Sequence, residues 1–246
     1  MSGFTDKMRR RAGRYLGRRP IQIKPPRGVL SLSFDDIPAS AWRAGGPVLG
    51  AHGLKATFYV CGGLAGGTNL DLPQFETEDL QALYADGHEV GCHTFEHVSS
   101  LAISPRVLEA SWARNAAWVA ERLDGAVMDT FAWPFGDCAL EAKSGAARRF
   151  KLARGVRDGV NAGRADRTNL QAIGLESRRI PGYDFDALCA EAAQTNGWLI
   201  AYGHDVSDSP TPYGCTQRDI ERLILSAKAA GLEILPVSRA FDRVTG

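Results

Sequence analysis

Short apolar runs of β character recur along this chain between stretches of helical spacing, and each run breaks off into polar residues. Residues 29–34 read as a buried strand that runs straight into Asp35 and Asp36. Further strands are expected at 55–60, 88–91, 130–133, 151–154, 178–180, 198–202 and 232–237, with helices at 39–51, 76–86, 105–123, 139–150, 185–195 and 217–230. Such alternation favours a parallel α/β sheet, open or closed into a barrel, because parallel neighbours need a crossover that a helix supplies. With 246 residues, 44% of them apolar, the chain can bury a sizeable core as one unit. No repeat or interior linker divides it.

Charge is spread unevenly. The formal net charge is +1, yet residues 1–20 hold Lys7, Arg9, Arg10, Arg11, Arg14, Arg18 and Arg19 against Asp6 alone, so the rest of the chain is net acidic. Phe4, Met8, Ala12, Tyr15 and Leu16 fall at helical spacing within this stretch, an amphipathic pattern suited to peripheral contact with an anionic membrane; a solvated arm is the competing reading. No later basic patch interleaved with aromatics points to nucleic acid. The sequence has no apolar run of about 18 residues and its first residues lack the apolar core of a secretory signal. A cytoplasmic protein is therefore expected, peripheral at the inner membrane face if the arm binds lipid. Cys61, Cys92, Cys138, Cys189 and Cys215 show no CxxC spacing and suggest reduced, packed thiols. Cys92, directly before a histidine pair, is the one with a site role open to it.

Asp35, Asp36, His93, His97, the segment 133–136 and His204 each follow the end of an expected strand, where α/β barrels build their sites. His93 and His97 stand four apart, so on a helical turn both imidazoles would project from one face and grip one cation. Adjacent buried carboxylates at 35 and 36 oppose each other's ionisation, and a cation bound to one of them relieves this; a solvated turn or helix cap is the alternative. Two histidines and one carboxylate leave coordination positions open, as hydrolytic zinc or related sites require. The second aspartate is then free to take a proton from the attacking water. In Trp133-Pro134-Phe135-Gly136, proline has no N–H, so Phe135 is the natural backbone donor to a developing oxyanion.

These motifs resemble those of the polysaccharide deacetylases, also called the NodB-homology or carbohydrate esterase family 4 domain. Ser33-Phe34-Asp35-Asp36 is similar to that family's T-F-D-D motif, and His93-Thr94-Phe95-Glu96-His97 to its H-S/T-x-x-H motif. The likeness continues through Phe131-Ala132-Trp133-Pro134-Phe135-Gly136 and Leu199-Ile200-Ala201-Tyr202-Gly203-His204-Asp205. It implies a distorted (β/α) barrel of about seven parallel strands, with a catalytic domain at 28–246 after a basic arm at 1–27. It implies, further, a metal-dependent hydrolase that removes the N-acetyl group from an amino sugar, in a cell-surface glycan or in its lipid-linked or nucleotide-linked precursor. Asp35 would be the general base, Asp36, His93 and His97 the ligands of a divalent metal, and His204 the general acid for the leaving amine. Zinc is the first choice, with cobalt, manganese or nickel as alternatives. Trp133 and Tyr202 are further substrate-binding candidates.

One position departs from the pattern. Many members carry an arginine where Ala132 stands, and that arginine holds the base aspartate. Arg154 or Arg179 is available as a substitute, with an ordinary surface salt bridge as the competing role for each. The partner that orients His204 is open among Asp158, Asp166 and Asp184, and Asp205 is a further supporting candidate. Two other functions stay open: an amidohydrolase acting on a non-sugar cyclic amide or ureide, and a catalytically silent carbohydrate-binding domain with a structural cation. The intact pair of acid and base argues against the silent domain.

Overall fold

Alternate residues of the strand at 29–35 face two different apolar environments, and this fixes the architecture. Leu30, Leu32 and Phe34 pack in one cluster with helix residues such as Leu80, Leu108, Ile220 and Leu223. Val29 belongs to a second cluster with Leu152, Trp198, Ile200 and Tyr202. Since side chains along a strand alternate between faces, the first cluster lies between sheet and helices and the second fills the inside of a curved sheet.

The computed structural model describes residues 2–246, with side chains from Thr5 onward. Phe4, part of the amphipathic pattern, therefore has its side chain outside the described residues. Helix α1 (Ser2–Tyr15) and strand β1 (Pro20–Ile23) precede the central strand β2 (Val29–Asp35). Helices α2 (Ala39–Arg43) and α3 (Gly45–Ala51) lead to β3 (Thr57–Val60), the small hairpin β4 (Thr68–Asn69) and β5 (Leu72–Pro73), and α4 (Thr77–Ala85). Next come β6 (Glu89–Cys92), α5 (Pro105–Arg122), β7 (Thr130–Ala132), α6 (Lys143–Arg149) and β8 (Leu152–Arg154). The chain ends with β9 (Gly163–Asp166), β10 (Ile173–Gly174), α7 (Phe185–Gln194), β11 (Trp198–Gly203), α8 (Gln217–Ala229), β12 (Glu233–Ile234) and α9 (Val237–Thr245).

The main sheet runs β10-β11-β2-β3-β6-β7-β8, with β12 added beside the start of β2. Every pair in it is parallel. It curves into a half-barrel with helices outside, the distorted (β/α) barrel that the resemblance implies. The antiparallel pair β1–β9 lies off this sheet, and a bridge from Arg154 to Leu170 carries the chain across the gap beside β8. One end of the interior is plugged by α9, whose Val237, Ala240 and Val244 join the inner cluster.

Several expected elements shift for identifiable reasons. The helix expected at 39–51 divides at Ala44, because Pro47 cannot donate the hydrogen bond that would continue it, although it fits the first turn of a new helix. Residues 178–180 form no strand; they lead into a tight turn at Ile180–Gly182, and the strand beside β11 is β10 instead. At 232–237 the strand stops early, since Pro236 caps α9. The basic arm forms α1 and docks on the body. Arg9 donates to the Leu101 carbonyl at 2.6 Å, Arg10 pairs with Asp137 at 2.6 Å, and buried Lys143 donates to the carbonyls of Gly13 and Leu16 at 2.9 and 3.0 Å. Lys143 thus satisfies orphan carbonyls at the negative end of the helix. No described helix is long and apolar enough to cross a membrane.

Candidate active site

The inward positions of the strands converge at one end of the half-barrel. Asp35 is paired in register with Tyr59, Tyr59 with Gly91, and Ala132 with Arg154. Paired residues of a parallel sheet share a face, so Ala132 and Arg154 both point inward, on neighbouring strands at the same level. The arginine absent at 132 is thereby supplied one strand away. Arg154 is fully buried and bonds the Asp35 carboxylate through Nη2. Its guanidinium carbon lies 5.0 Å from the Tyr59 ring centroid and 4.9 Å from that of Tyr202. Gly91 makes room for this layer: a Cβ there would sit 2.5 Å from the Tyr59 ring and 2.8 Å from the Thr130 hydroxyl.

Asp35 and Asp36 could not share a pocket if both kept strand geometry, because consecutive side chains point to opposite faces. The backbone resolves this at Asp36 and Ile37, both at φ 62°, in the left-handed region. Asp36 then faces the histidines, with Oδ1 at 3.2 Å from His97 Nε2 and 3.6 Å from His93 Nε2. The three ligand atoms all lie within 4.8 Å of one another. His93 Nδ1 sits 2.8 Å from the Ala132 carbonyl; a carbonyl only accepts, so Nδ1 carries the proton and Nε2 presents a lone pair. Burial lowers the His93 pKa to about 4, although Asp35 and Asp36 oppose the shift. A neutral imidazole lone pair facing a carboxylate oxygen is repulsive unless a cation stands between them. Asn69 donates to the other Asp36 oxygen at 3.2 Å, the outer support that metal ligands commonly have. The donor set therefore fits a divalent cation.

The histidine pair is not helical. Residues 93–97 form an irregular loop after β6, with Thr94 at φ 65° and His97 at φ 52°, so the shared face comes from backbone turns and not from helical periodicity. Of the nine non-glycine residues with positive φ among the described residues, seven (Asp36, Ile37, Leu70, Asp71, Thr94, His97 and Phe135) lie in the loops around this pocket. Left-handed conformations cost energy in ordinary residues and persist where surrounding structure enforces them, commonly at functional sites.

Burial penalises ionisation of Asp35, but the charge of Arg154, with His93, His204 and the Arg154 hydrogen bond, outweighs it and holds the carboxyl below its ordinary value. His204 lines the same pocket, its Nδ1 3.2 Å from the Tyr213 carbonyl. That carbonyl takes the orienting role expected of an aspartate. Asp158 instead bonds Arg179 and Tyr183, Asp166 pairs with Lys143, and Asp184 caps α7. Asp205 is buried outside the pocket, where it accepts from the Thr211 N–H and hydroxyl and so folds the loop that carries Tyr213. Arg179 does not reach Asp35; it donates to the Tyr202 hydroxyl at 2.8 Å and to Asp158 at 2.5 Å.

Trp133 is fully buried, its indole N–H on the Thr168 carbonyl, so it forms pocket wall and not an exposed platform. Phe135 is 63% exposed, its ring 4.5 Å from that of His97, and its N–H has no backbone acceptor among the described residues. Leu70, Val156, Glu176, Arg178 and Tyr213 also line the pocket, of about 270 Å³; of these only Tyr213 lies in a loop, 207–215, that the sequence suggests as part of the substrate groove. Cys92 is packing: burial raises its pKa to about 11 and its sulfur accepts from Asn115. All five cysteines are free and buried.

The sequence model of the family described as Polysaccharide deacetylase matches residues 22–151, just over half of the chain. The chain belongs to the polysaccharide deacetylase family. No curated protein matches its sequence significantly. Among solved structures, this polysaccharide deacetylase resembles the chitin deacetylase of the fungal pathogen Colletotrichum lindemuthianum at 17% identity and TM-score 0.62, over 89% of each chain. It resembles a family 4 acetyl xylan esterase from Clostridium thermocellum, solved in complex with a cobalt ion, at 20% identity and TM-score 0.58, over 87% of this chain and 90% of that one. Both likenesses establish the fold. IcaB from Ammonifex degensii is 25% identical over 52% of this chain, at TM-score 0.47; the aligned part spans 59% of IcaB.

Proposed function

We propose that this chain is a divalent-metal-dependent N-deacetylase acting on amino-sugar units. The observation that carries the reading is the division of labour between two adjacent aspartates: Asp36 faces the imidazoles of His93 and His97, while Asp35, held ionised by Arg154, stays outside that ligand set. A cation held by Asp36, His93 and His97 would acidify water and polarise the acetyl carbonyl, and zinc is the first candidate for that donor set, ahead of cobalt, manganese or nickel.

Asp35 takes the proton of the attacking water as its oxygen bonds to the acetyl carbon. The free N–H of Phe135 donates to the oxyanion that forms. With Nδ1 turned to the Tyr213 carbonyl, His204 keeps Nε2 for the substrate and protonates the amine nitrogen as the C–N bond breaks and acetate leaves. Leu70, Phe135 and Tyr213 are exposed apolar side chains at the mouth of the pocket, and such faces suit the apolar side of a pyranose ring.

Acetate release from N-acetylglucosamine oligomers, measured beside ring opening of a cyclic imide, tests the reading. Metal-loaded protein should release acetate and leave the imide intact. Imide hydrolysis without acetate release would replace this function by the small-molecule amidohydrolase, and inactivity on both would favour a silent binding domain.

A further inference from the structure

A second pocket, of about 200 Å³, lies between α1 and the segment that crosses the gap beside β8, and four arginines line it: Arg14, Arg18, Arg157 and Arg164. Among the described residues none of the four forms an ion pair or a side-chain hydrogen bond. The pocket's one carboxylate, Asp166, cannot serve them. Its oxygens are occupied by Lys143 Nζ at 2.6 Å, the Thr168 hydroxyl at 2.7 Å and the Arg19 N–H at 2.9 Å. Asn161, Asn169 and Gln171 complete the lining with neutral amides. Four like charges around one concavity repel each other and are stable together only at a cost, which an anion removes.

We propose that this pocket binds a phosphate or diphosphate group. The charge favours that chemistry over a carboxylate. Four guanidinium groups exceed what one carboxylate neutralises, whereas a diphosphate carries several negative charges and enough acceptor oxygens for bidentate contacts. Location connects the pocket to catalysis. Arg154 holds Asp35, Val156 lines the candidate active site, and Arg157 lines the basic pocket, so one short segment forms the wall between the two. A sugar carried on a phosphate ester would place its acetamido group in one pocket and its phosphate in the other. The substrate part of this inference rests on the deacetylase reading; the phosphate site does not.

The same chemistry has two sources, a phosphate ester that carries the substrate and the headgroup of an anionic lipid, and α1 contributes to both possibilities. Isothermal titration of the full chain with inorganic pyrophosphate tests the site itself. Wild type should bind, and the exposed double variant Arg157→Gln/Arg164→Gln should bind about ten-fold or more weakly, as expected for loss of two charged contacts. Arg218→Gln, on α8 and away from the pocket, should match wild type. Co-sedimentation with phosphatidylcholine vesicles, with and without phosphatidylglycerol, separates the sources. Loss of pyrophosphate and of anionic-vesicle binding together in the double variant assigns the pocket to lipid; loss of pyrophosphate binding alone assigns it to a phosphate ester. Either result supports the site. Absence of pyrophosphate binding by folded wild type, or equal binding by wild type and double variant as capture by the catalytic metal would give, overturns it. Acetate release from phosphate-free oligomers, read on the same samples, should be equal in both proteins, and its absence in wild type would count against the deacetylase reading alone.

Discussion

A cation buried without water has to be matched by its surroundings, and Arg154 is matched by Asp35 on one side and by the rings of Tyr59 and Tyr202 on its faces. Arg154→Met would leave Asp35 buried without its cation, a change that costs about 3–5 kcal/mol of stability. The Asp35 pKa would rise, so the acid limb of the kcat/KM profile should move to higher pH; denaturant melts and pH–rate profiles check both effects. An unmoved acid limb would assign Asp35's ionisation to another group. A second pH effect belongs to His93, which ionises near pH 4 when folded and near 6.5 in an unfolded chain. Between those values the unfolded state binds more protons, so metal-free protein should lose stability as pH falls from about 6.5 towards 4. Asp35, with its lowered value, adds to the loss as pH falls through its own folded pKa. Urea midpoints in the presence of chelator should follow this slope, and His93→Gln should flatten the upper part of it. That a carboxylate pair stands at the pocket was legible in the sequence, because two acids end an apolar strand. Arg154 was legible only as a candidate, since nothing in the residues around it says that positions 132 and 154 are register partners.

Among the elements, the site is built from loops after strands, and their backbone turns were not written in spacing. His93 and His97 share a face through left-handed Thr94 and His97, where a helical turn would have been the simpler expectation. The hairpin β4–β5 brings Asn69 to Asp36 and Leu70 to the pocket mouth, a long-range contact with no local signal. Tyr213→Ala should raise KM for sugar oligomers several-fold with little change in kcat if the exposed ring supplies binding alone; steady-state kinetics decide this, and a fall in kcat with unchanged KM would instead mark damage to His204. Helix α1 owes its seat to Gly13, where a Cβ would fall 1.7 Å from the Cys138 carbonyl oxygen. Gly13→Val should therefore undock α1, accelerate proteolysis within residues 1–20 and leave the barrel's main melting transition in place. The amphipathic helix itself was legible, but its acidic docking partners Asp137 and Glu141 lie far along the chain.

Over the whole molecule, a parallel half-barrel gathers inward residues from six strands at one end, and strand alternation in the sequence was enough to foresee that gathering. The short strands β1, β9 and β10 were not foreseeable, because two to four residues carry too little periodicity. Nor was α9, although Val237, Ala240 and Val244 stand at helical spacing, since the apolar run before Pro236 reads equally as strand. The proposed deacetylase chemistry requires that a cation and a base be held by different residues. Zinc content and acetate release, measured on the same preparations of wild type, Asp35→Asn and His93→Ala, test that requirement most directly. The account predicts a metal-bearing, active wild type, an Asp35→Asn protein that keeps its zinc but loses activity by about 100-fold or more, and a His93→Ala protein that loses both. Activity that survives in Asp35→Asn, or in His93→Ala without metal, would contradict it.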